Sequence, residues 1–311
     1  MHRVPGTDLF WYHAQLEPDA LITYRFVKNY DEQIPDPNNP KKTKDARGQE
    51  ISIFTMPGWK DGSFSTEAPL EKRGAIESKE IVSTLHKGVS VKVDVYIPPA
   101  YKTGSERYPL LFVMDGPAAR TEGYFSNALD HLRDRSMRPA IAVFVGEPNL
   151  GEHPPEDPAV YYDLIVSFLG KEVVKFIDDH YRTTSETSDR VMIANGFPSA
   201  EGLLTVLKNP GLFGAFGSQS FFMLSTDEEM LRNTIKTAQE QPLQIYIDWG
   251  LYDLRTSREN WDMRDTNRNL VRLLRERGYK PAGGETHETF GWASWRNRLD
   301  RVLSTLLPPS R

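Results

Sequence analysis

The stretch Tyr108-Pro-Leu-Leu-Phe-Val-Met-Asp-Gly116 sets the pattern on which most of the chain is built. Five consecutive apolar residues, Leu110 to Met114, run directly into Asp115-Gly116 without any alternation of polar and apolar positions. A short run that is apolar throughout is typical of a strand buried on both faces of a parallel sheet. The segment therefore predicts a central strand whose carboxyl end leads into a polar loop.

Similar apolar runs recur along the chain, and amphipathic stretches separate them. The further runs are Ile141 to Val145, Val191 to Ala194 and Leu243 to Ile247. The amphipathic stretches are Tyr124 to Arg133, Tyr161 to Asp179, Ala200 to Leu207, Glu228 to Gln239, Thr266 to Arg277 and Ser294 to Leu306. This alternation predicts βαβ units and a mainly parallel sheet. Ahead of them, Glu80 to Leu85 and Val89 to Ile97 predict a hairpin.

The first 75 residues have a different composition. Two short apolar stretches, Leu21 to Val27 and Ile51 to Met56, flank a polar segment that contains Asp36-Pro-Asn-Asn-Pro40 and Lys41 to Lys44. Short strands bounded by Pro, Asn and Gly predict a small β unit over residues 1–75, with a long N-terminal arm as the alternative. Residues 76–311 then form the α/β domain.

Composition excludes several classes of function. The 311 residues are 39% hydrophobic and 26% charged, which is typical of a globular protein, and the net charge of −5 disfavours a nucleic-acid-binding surface. The absence of Cys excludes disulfides and thiolate catalysis. No pair of His has metal-ligand spacing, so we expect neither a metal nor another cofactor. No run reaches 18 apolar residues and no apolar segment opens the chain, so we expect no membrane span, no secretory signal and a cytoplasmic location.

The ordered motifs resemble the esterase family that includes the enterochelin (ferric-siderophore) esterases and related α/β-hydrolases. "YPLLFVMDG" resembles that family's strand ending in Asp-Gly. "FLGKEVVKFIDDHYRTTSETSDRVMIANG" resembles the helix and strand that enter its nucleophile elbow, and "NPGLFGAFGSQSFFML" the segment after the elbow helix. "GYKPAGGETHETFGWASWRNRLDRVL" resembles the final strand, the histidine loop and the last helix. The resemblance implies an α/β-hydrolase fold with a small N-terminal β unit.

The family's chemistry uses a Ser in G-x-S-x-G, a His and an Asp. Alignment on the family landmarks places Gly196 at the nucleophile position, in the stretch Ala194-Asn-Gly-Phe-Pro-Ser199. Phe290 falls at the His position, and Asp253 falls at the acid position. The resemblance therefore implies an acid position that is kept, a nucleophile that is lost, and a base that is lost or displaced to His287.

Other residues near the strand ends are secondary candidates. Ser199 is the hydroxyl nearest to the elbow and is the alternative nucleophile, although Phe197 and Glu201 then occupy positions normally held by small residues. Glu201 is a speculative acid or base. For ligand binding, the strand-end loops nominate five residues: Asp115, Gly116, Phe197, Ser220 and Trp292.

Three hypotheses of function remain open on these residues. The first is a pseudo-hydrolase that keeps the fold and binds a small molecule or a protein partner. The second is an active esterase, for a carboxylic-ester or siderophore-like substrate, with a rewired site that uses Ser199 and His287. The third is an interaction protein that uses the fold as a scaffold, and the sequence is compatible with a homodimer. The fold alone does not choose among them, because function depends on the site.

Overall fold

The N-terminal part of the chain is built from short strands. The computed structural model describes residues 1–45, 48–62, 64–133, 135–223, 227–256 and 261–309. The first strands are β1 (His2–Arg3), β2 (Phe10–Trp11), β3 (Leu21–Tyr24), β4 (Phe26–Lys28), β5 (Glu32–Ile34), β6 (Lys42–Lys44) and β7 (Glu50–Thr55). Strands β3, β7 and β6 form an antiparallel sheet in that order, while β1 pairs with β2 and β4 with β5. The predicted small N-terminal β unit is thereby confirmed.

A mixed sheet of eight strands dominates the described residues. The strands that follow β7 are β8 (Ala75–Val82), β9 (Ser90–Ile97), β10 (Leu110–Met114), β11 (Ile141–Val145), β12 (Arg190–Ile193), β13 (Ala215–Gln219), β14 (Gln244–Gly250), β15 (Arg255–Thr256), β16 (Trp261–Asp262) and β17 (Ala282–Thr286). The order in the sheet is β8-β9-β11-β10-β12-β13-β14-β17, and β15 and β16 form a separate pair. Strands β8 and β9 form the predicted antiparallel hairpin. The six strands at the other side of the sheet, in the order β11-β10-β12-β13-β14-β17, are all parallel. This is the expected α/β-hydrolase architecture.

Helices cover both faces of this sheet. They are α1 (Gly116–Thr121), α2 (Phe125–Leu132), α3 (Pro158–Ser167), α4 (Val174–His180), α5 (Ser199–Lys208), α6 (Glu228–Thr237), α7 (Met263–Glu276), α8 (Trp292–Trp295) and α9 (Leu299–Leu306). All five residues of β10 are buried, and its successive side chains enter two different core clusters. Because neighbouring side chains of a strand point to opposite faces, the two clusters lie on opposite sides of the sheet.

Some local features differ from the sequence expectations. The stretch predicted as one helix from Tyr161 to Asp179 contains a π-helical turn, Phe168–Val173, between α3 and α4. Likewise, a 3-10 turn separates α8 from α9. Neither α1 nor β13 was predicted, since α1 opens with Gly-Pro and β13 reads Ala-Phe-Gly-Ser-Gln, and both lack an apolar pattern. Strand β13 forms because β12 and β14 supply its hydrogen bonds on both sides.

The division at residue 75 stays a prediction, and the large sheet begins at Ala75. Within the described ranges, no helix combines the length and the apolar character needed to cross a membrane.

A buried arginine joins the last helix to the sheet. Arg298 is 2% exposed. Its Nε and Nη2 donate to the two carboxylate oxygens of Asp248 in β14, at 2.9 and 3.1 Å. Its Nη1 lies 2.7 Å from Oε2 of Glu288, in the loop after β17. One cation therefore holds together a strand, a loop and the start of α9.

Replacement of this cation should destabilise the fold strongly. Arg298→Met leaves Asp248 and Glu288 buried without their counter-charge, and we expect it to lower the free energy of unfolding by about 3–5 kcal/mol. Urea denaturation measures the effect. The control is Arg301→Met, because Arg301 is exposed on the same helix. Equal stability of the two variants would contradict the structural role of Arg298.

Candidate functional site

A cleft of about 580 Å³ opens at the carboxyl ends of the central parallel strands. The loops after β10, β11 and β12 form its floor, and the loop after β17 together with α8 forms one side. Residues Lys44, Asp45 and Gly48 of the N-terminal unit also line it. In open α/β sheets, ligands bind beyond the carboxyl ends of the strands, so this cleft is the candidate site.

Gly196 occupies the turn between β12 and α5. Its φ is +63°, in the left-handed region that glycine adopts without the strain that a Cβ causes. Its N–H donates to the carbonyl of Gln219 at 3.0 Å. A Cβ at this position would lie 2.6 Å from Cη2 of Trp295 and 2.8 Å from Cζ of Phe290. Two aromatic rings therefore fill the space that a side chain at position 196 would need.

These rings belong to a continuous aromatic cluster. The ring centroids of Phe290 and Trp295 are 4.8 Å apart, and those of Phe290 and Phe197 are 5.4 Å apart, both in edge-to-face geometry. Trp292 packs against Trp295 at 5.2 Å. Edge-to-face packing is a favoured arrangement of aromatic rings. Phe197 remains 52% exposed and presents an apolar wall to the cleft.

Asp253, after β14, is 4% exposed. Its Oδ2 accepts the N–H of Gly250 at 2.9 Å. Burial raises the pKa of Asp253 to about 7, while a favourable interaction with the Ser220 hydroxyl opposes this rise. The same hydroxyl accepts the indole N–H of Trp295 at 2.9 Å. The Ser220 hydroxyl thus connects the carboxyl of Asp253 with the indole of Trp295, whose ring packs against Gly196.

His287 is turned toward the N-terminal unit. Its Nδ1 lies 2.6 Å from Oδ1 of Asp19, and its carbonyl accepts the N–H of Leu21 at 3.0 Å. The His287 side chain does not line the cleft. The ring of His287, the predicted displaced base, therefore contacts Asp19 and does not lie at the elbow.

Ser199 is fully buried beneath the elbow. Its hydroxyl lies 2.9 Å from the carbonyl oxygen of Ala194 and 2.5 Å from that of Gly196, and it accepts a hydrogen bond from Ser218 at 3.1 Å. It does not line the cleft. This hydroxyl therefore lies against backbone oxygens on the buried side of the turn.

Three of the five predicted ligand-binding residues line the cleft: Asp115, Phe197 and Trp292. The indole N–H of Trp292 donates to Oδ2 of Asp115 at 3.0 Å and joins α8 to the loop after β10. Gly116 does not line the cleft, and a Cβ there would lie 2.4 Å from the carbonyl carbon of Phe144. Gly116 therefore permits the close approach of α1 to β11. Ser220 also lies outside the lining, in contact with Trp295.

The site is more acidic than the sequence patterns indicated. Glu201 lines the cleft, and burial raises its pKa. Tyr161 donates its hydroxyl to Oε1 of Glu201 at 2.6 Å. Glu147 also lines the cleft, and its place in the predicted strand-end loop Gly146-Glu147-Pro148 was the available signal. Nothing in the sequence indicated the contribution of Lys44, because its strand reaches the cleft only through tertiary packing.

The acidic residues do not form a metal site in the part of the chain that the structure describes, where no group of three or more His, Cys, Asp or Glu has a suitable arrangement.

The fold and this site define an α/β-hydrolase-type protein. A family model described as "Putative esterase" matches residues 86–306, and the chain belongs to this family. Among solved structures, it is similar to the enterobactin esterase FES from Shigella flexneri, with a TM-score of 0.72 and 17% identity over 98% of this chain and 83% of that chain. Identity at this level reflects a shared fold.

Two curated relatives come from Bacillus subtilis (strain 168). The uncharacterized protein YbbA is 27% identical over 150 residues, which are 43% of this chain and 58% of YbbA. This chain therefore matches less than two thirds of YbbA. The uncharacterized protein YjcH is 24% identical over 249 residues, which are 76% of this chain and 99% of YjcH.

The packing on Gly196 generates a prediction about stability. Gly196→Ala should lower the free energy of unfolding by about 1–2 kcal/mol for the left-handed backbone and by about 1–3 kcal/mol more for overlap with the two rings. The control is Gly211→Ala, because Gly211 has φ +82° and open space around it. Chemical denaturation gives the free energy of unfolding of both variants, and the difference between their losses is the cost of overlap between the added methyl group and the two rings. A loss for Gly196→Ala no larger than that for Gly211→Ala would contradict the packing.

Burial of Asp253 predicts a pH dependence of stability. The pKa of Asp253 is about 7 in the folded protein, against 3.8 for an aspartate in the unfolded chain. The folded state therefore binds the proton more tightly than the unfolded state does. The contribution of Asp253 therefore makes stability fall as the pH rises from about 4 to about 7. Asp253→Asn should raise the free energy of unfolding at pH 8 by up to about 4 kcal/mol, with little gain at pH 4.

Urea denaturation at a series of pH values measures this gain. The control is Asp300→Asn, since Asp300 is exposed on α9. A gain for Asp253→Asn that does not change between pH 4 and pH 8 would refute the assignment.

Proposed function

We propose that this chain is a non-hydrolytic member of the esterase family that binds a small molecule in the cleft at the carboxyl ends of the sheet. The observation that carries the proposal is Gly196 at the strand-to-helix turn, with the rings of Phe290 and Trp295 packed where a nucleophile's side chain would stand. A serine hydrolase of this fold has its nucleophilic hydroxyl at that turn, and glycine supplies no nucleophile of any kind.

The chemistry supports the same conclusion. Acyl transfer by a serine hydrolase requires a nucleophile and a base in contact, with a carboxylate that orients the base. At the three positions nominated by the family resemblance, this chain has Gly196, Phe290 and Asp253. Glycine has no attacking atom and phenylalanine accepts no proton. Because these groups act as a unit, the loss of two of them removes most of the rate enhancement.

The rewired alternative requires Ser199 to attack and His287 to accept its proton. The Ser199 hydroxyl lies against two backbone carbonyl oxygens, and the ring of His287 lies against Asp19. Neither side chain lines the cleft. An active site built on this pair would need the elbow and the N-terminal contact to rearrange together.

The cleft itself supports ligand binding. Its volume of about 580 Å³ is typical of small-molecule sites. The structures of the Shigella flexneri esterase were determined in the presence of enterobactin and of 2,3-di-hydroxy-N-benzoyl-serine. For the present protein we propose that the cleft at the carboxyl ends of the sheet serves recognition without hydrolysis.

Labelling with a fluorophosphonate tests the loss of the nucleophile. We expect no adduct by intact mass on the native chain or on Ser199→Ala, under conditions that label an active serine esterase completely. We also expect hydrolysis of p-nitrophenyl acetate at the rate of protein-free buffer. An adduct on Ser199, or an esterase activity abolished by Ser199→Ala or His287→Ala, would overturn the proposal and establish the rewired site.

A further inference from the structure

Among the described residues, the charge of the cleft lining is predominantly negative. Among the described residues that line it, the acidic side chains are Asp45, Asp115, Glu122, Glu147 and Glu201. The basic side chain in the same set is Lys44, whose Nζ lies 3.8 Å from Glu122. An anionic ligand would meet repulsion from most of the charged groups around it.

Two of the acidic residues already have a counter-charge. Asp45 pairs with Arg25 at 2.8 Å, and Glu122 is the partner of Lys44. No lysine, arginine or histidine of the described ranges forms an ion pair with Asp115, Glu147 or Glu201. These three carboxyl groups therefore face the cleft without a cationic partner from the described chain.

The environment of Asp115 and Glu201 is unfavourable for negative charge. Burial raises the pKa of Asp115 and of Glu201, and the charge of Glu147 raises both further. Hydrogen bonds from Trp292 and Tyr161 act in the opposite direction. A cation in the cleft would offset the repulsion between Glu147 and each of the other two carboxylates.

The apolar part of the lining lies close to these carboxyl groups. Phe197, Phe290 and Trp292 line the same cleft, and Phe197 is half exposed. The hydrogen bond from Trp292 to Asp115 joins an aromatic side chain to a carboxyl group directly. Aromatic faces attract organic cations through the ring quadrupole, and together with carboxylates they recognise substituted ammonium groups.

We propose that the ligand of this cleft is an organic cation, an amine or quaternary ammonium compound with an apolar body. The proposal rests on the proposed function, which makes the cleft a binding site, and it adds the chemical class of the ligand. The acidic residues suit an extended organic cation better than a metal ion, because no three of them within the described residues are grouped for coordination.

Binding of matched probes to the full chain tests this assignment. Benzyltrimethylammonium and phenylacetate share the phenyl ring and carry opposite charges, and neither is an ester. We expect benzyltrimethylammonium to bind by isothermal titration calorimetry or ligand-observed NMR, and we expect phenylacetate to bind at least tenfold more weakly. Because charge attraction contributes, affinity for the cation should fall as salt is raised.

Substitutions locate the probe in the cleft. Glu147→Gln and Glu201→Gln should each weaken binding of the cation at least threefold, and the double substitution at least tenfold. Phe197→Leu should weaken it about threefold through loss of the aromatic face. The control is Glu276→Gln, an exposed acidic residue at the end of α7, which should bind as the native chain does. Thermal melting establishes that each variant is folded.

The outcomes separate this proposal from the proposed function. Preference for phenylacetate, absence of binding by the cation, or cation binding unchanged by Glu147→Gln, Glu201→Gln and their combination would overturn the assignment of a cationic ligand. None of these outcomes restores a nucleophile. Conversely, a fluorophosphonate adduct would overturn the non-hydrolytic function, while the charge preference measured with the non-ester probes would still report the class of molecule that the cleft accepts.

Discussion

A buried charge, the guanidinium of Arg298, fixes the loop and helix that flank the cleft of this fold. Arg298 is almost completely buried and binds Asp248 of β14 and Glu288 of the loop after β17. A buried guanidinium is tolerated only when anions surround it closely, so this contact fixes the loop and the start of α9 relative to the sheet. The segment between Glu288 and Arg298 carries Phe290 and Trp295, whose positions over the strand ends therefore depend on that ion pair.

The elbow and the aromatic segment are complementary in shape. Gly196 has a left-handed backbone and no Cβ, and the rings of Phe290 and Trp295 occupy the volume thereby left open. A serine at position 196 would require both rings to move. The residues at the nominated nucleophile and base positions therefore constrain each other. The ring of Phe290 occupies its position because Gly196 has no side chain, and a side chain at position 196 would displace that ring. The indole of Trp295 extends this coupling through Ser220 toward Asp253.

The sequence predicted the fold well where hydrophobic pattern is sufficient. Strands β10 and β11 have the bounds that their apolar runs predicted. The alternation of apolar runs with amphipathic stretches correctly predicted a mainly parallel sheet. The hydrophobic pattern did not predict β13, because its glycine and polar residues lack a strand pattern. It also did not predict the π-helical turn between α3 and α4, because that turn leaves the apolar pattern of the stretch unbroken. A hydrophobic pattern indicates which side chains are buried. Strand β13 depends instead on hydrogen bonds to the backbone of neighbouring strands, and the π-helical turn depends on local helical geometry.

By itself, the sequence determined a mainly parallel α/β sheet, the glycine at position 196 and the absence of any cysteine nucleophile, because these follow from local pattern and residue identity. The α/β-hydrolase type of that sheet was an expectation from the family resemblance of the ordered motifs. The tertiary structure alone decided which side chains meet. It placed His287 against Asp19, turned the hydroxyl of Ser199 beneath the elbow, and brought Lys44 from the N-terminal unit to the cleft. It also placed beside aromatic rings three carboxyl groups that have no cationic partner among the described residues. Distances between residues far apart in the chain are set by packing, and no spacing in the sequence specifies them.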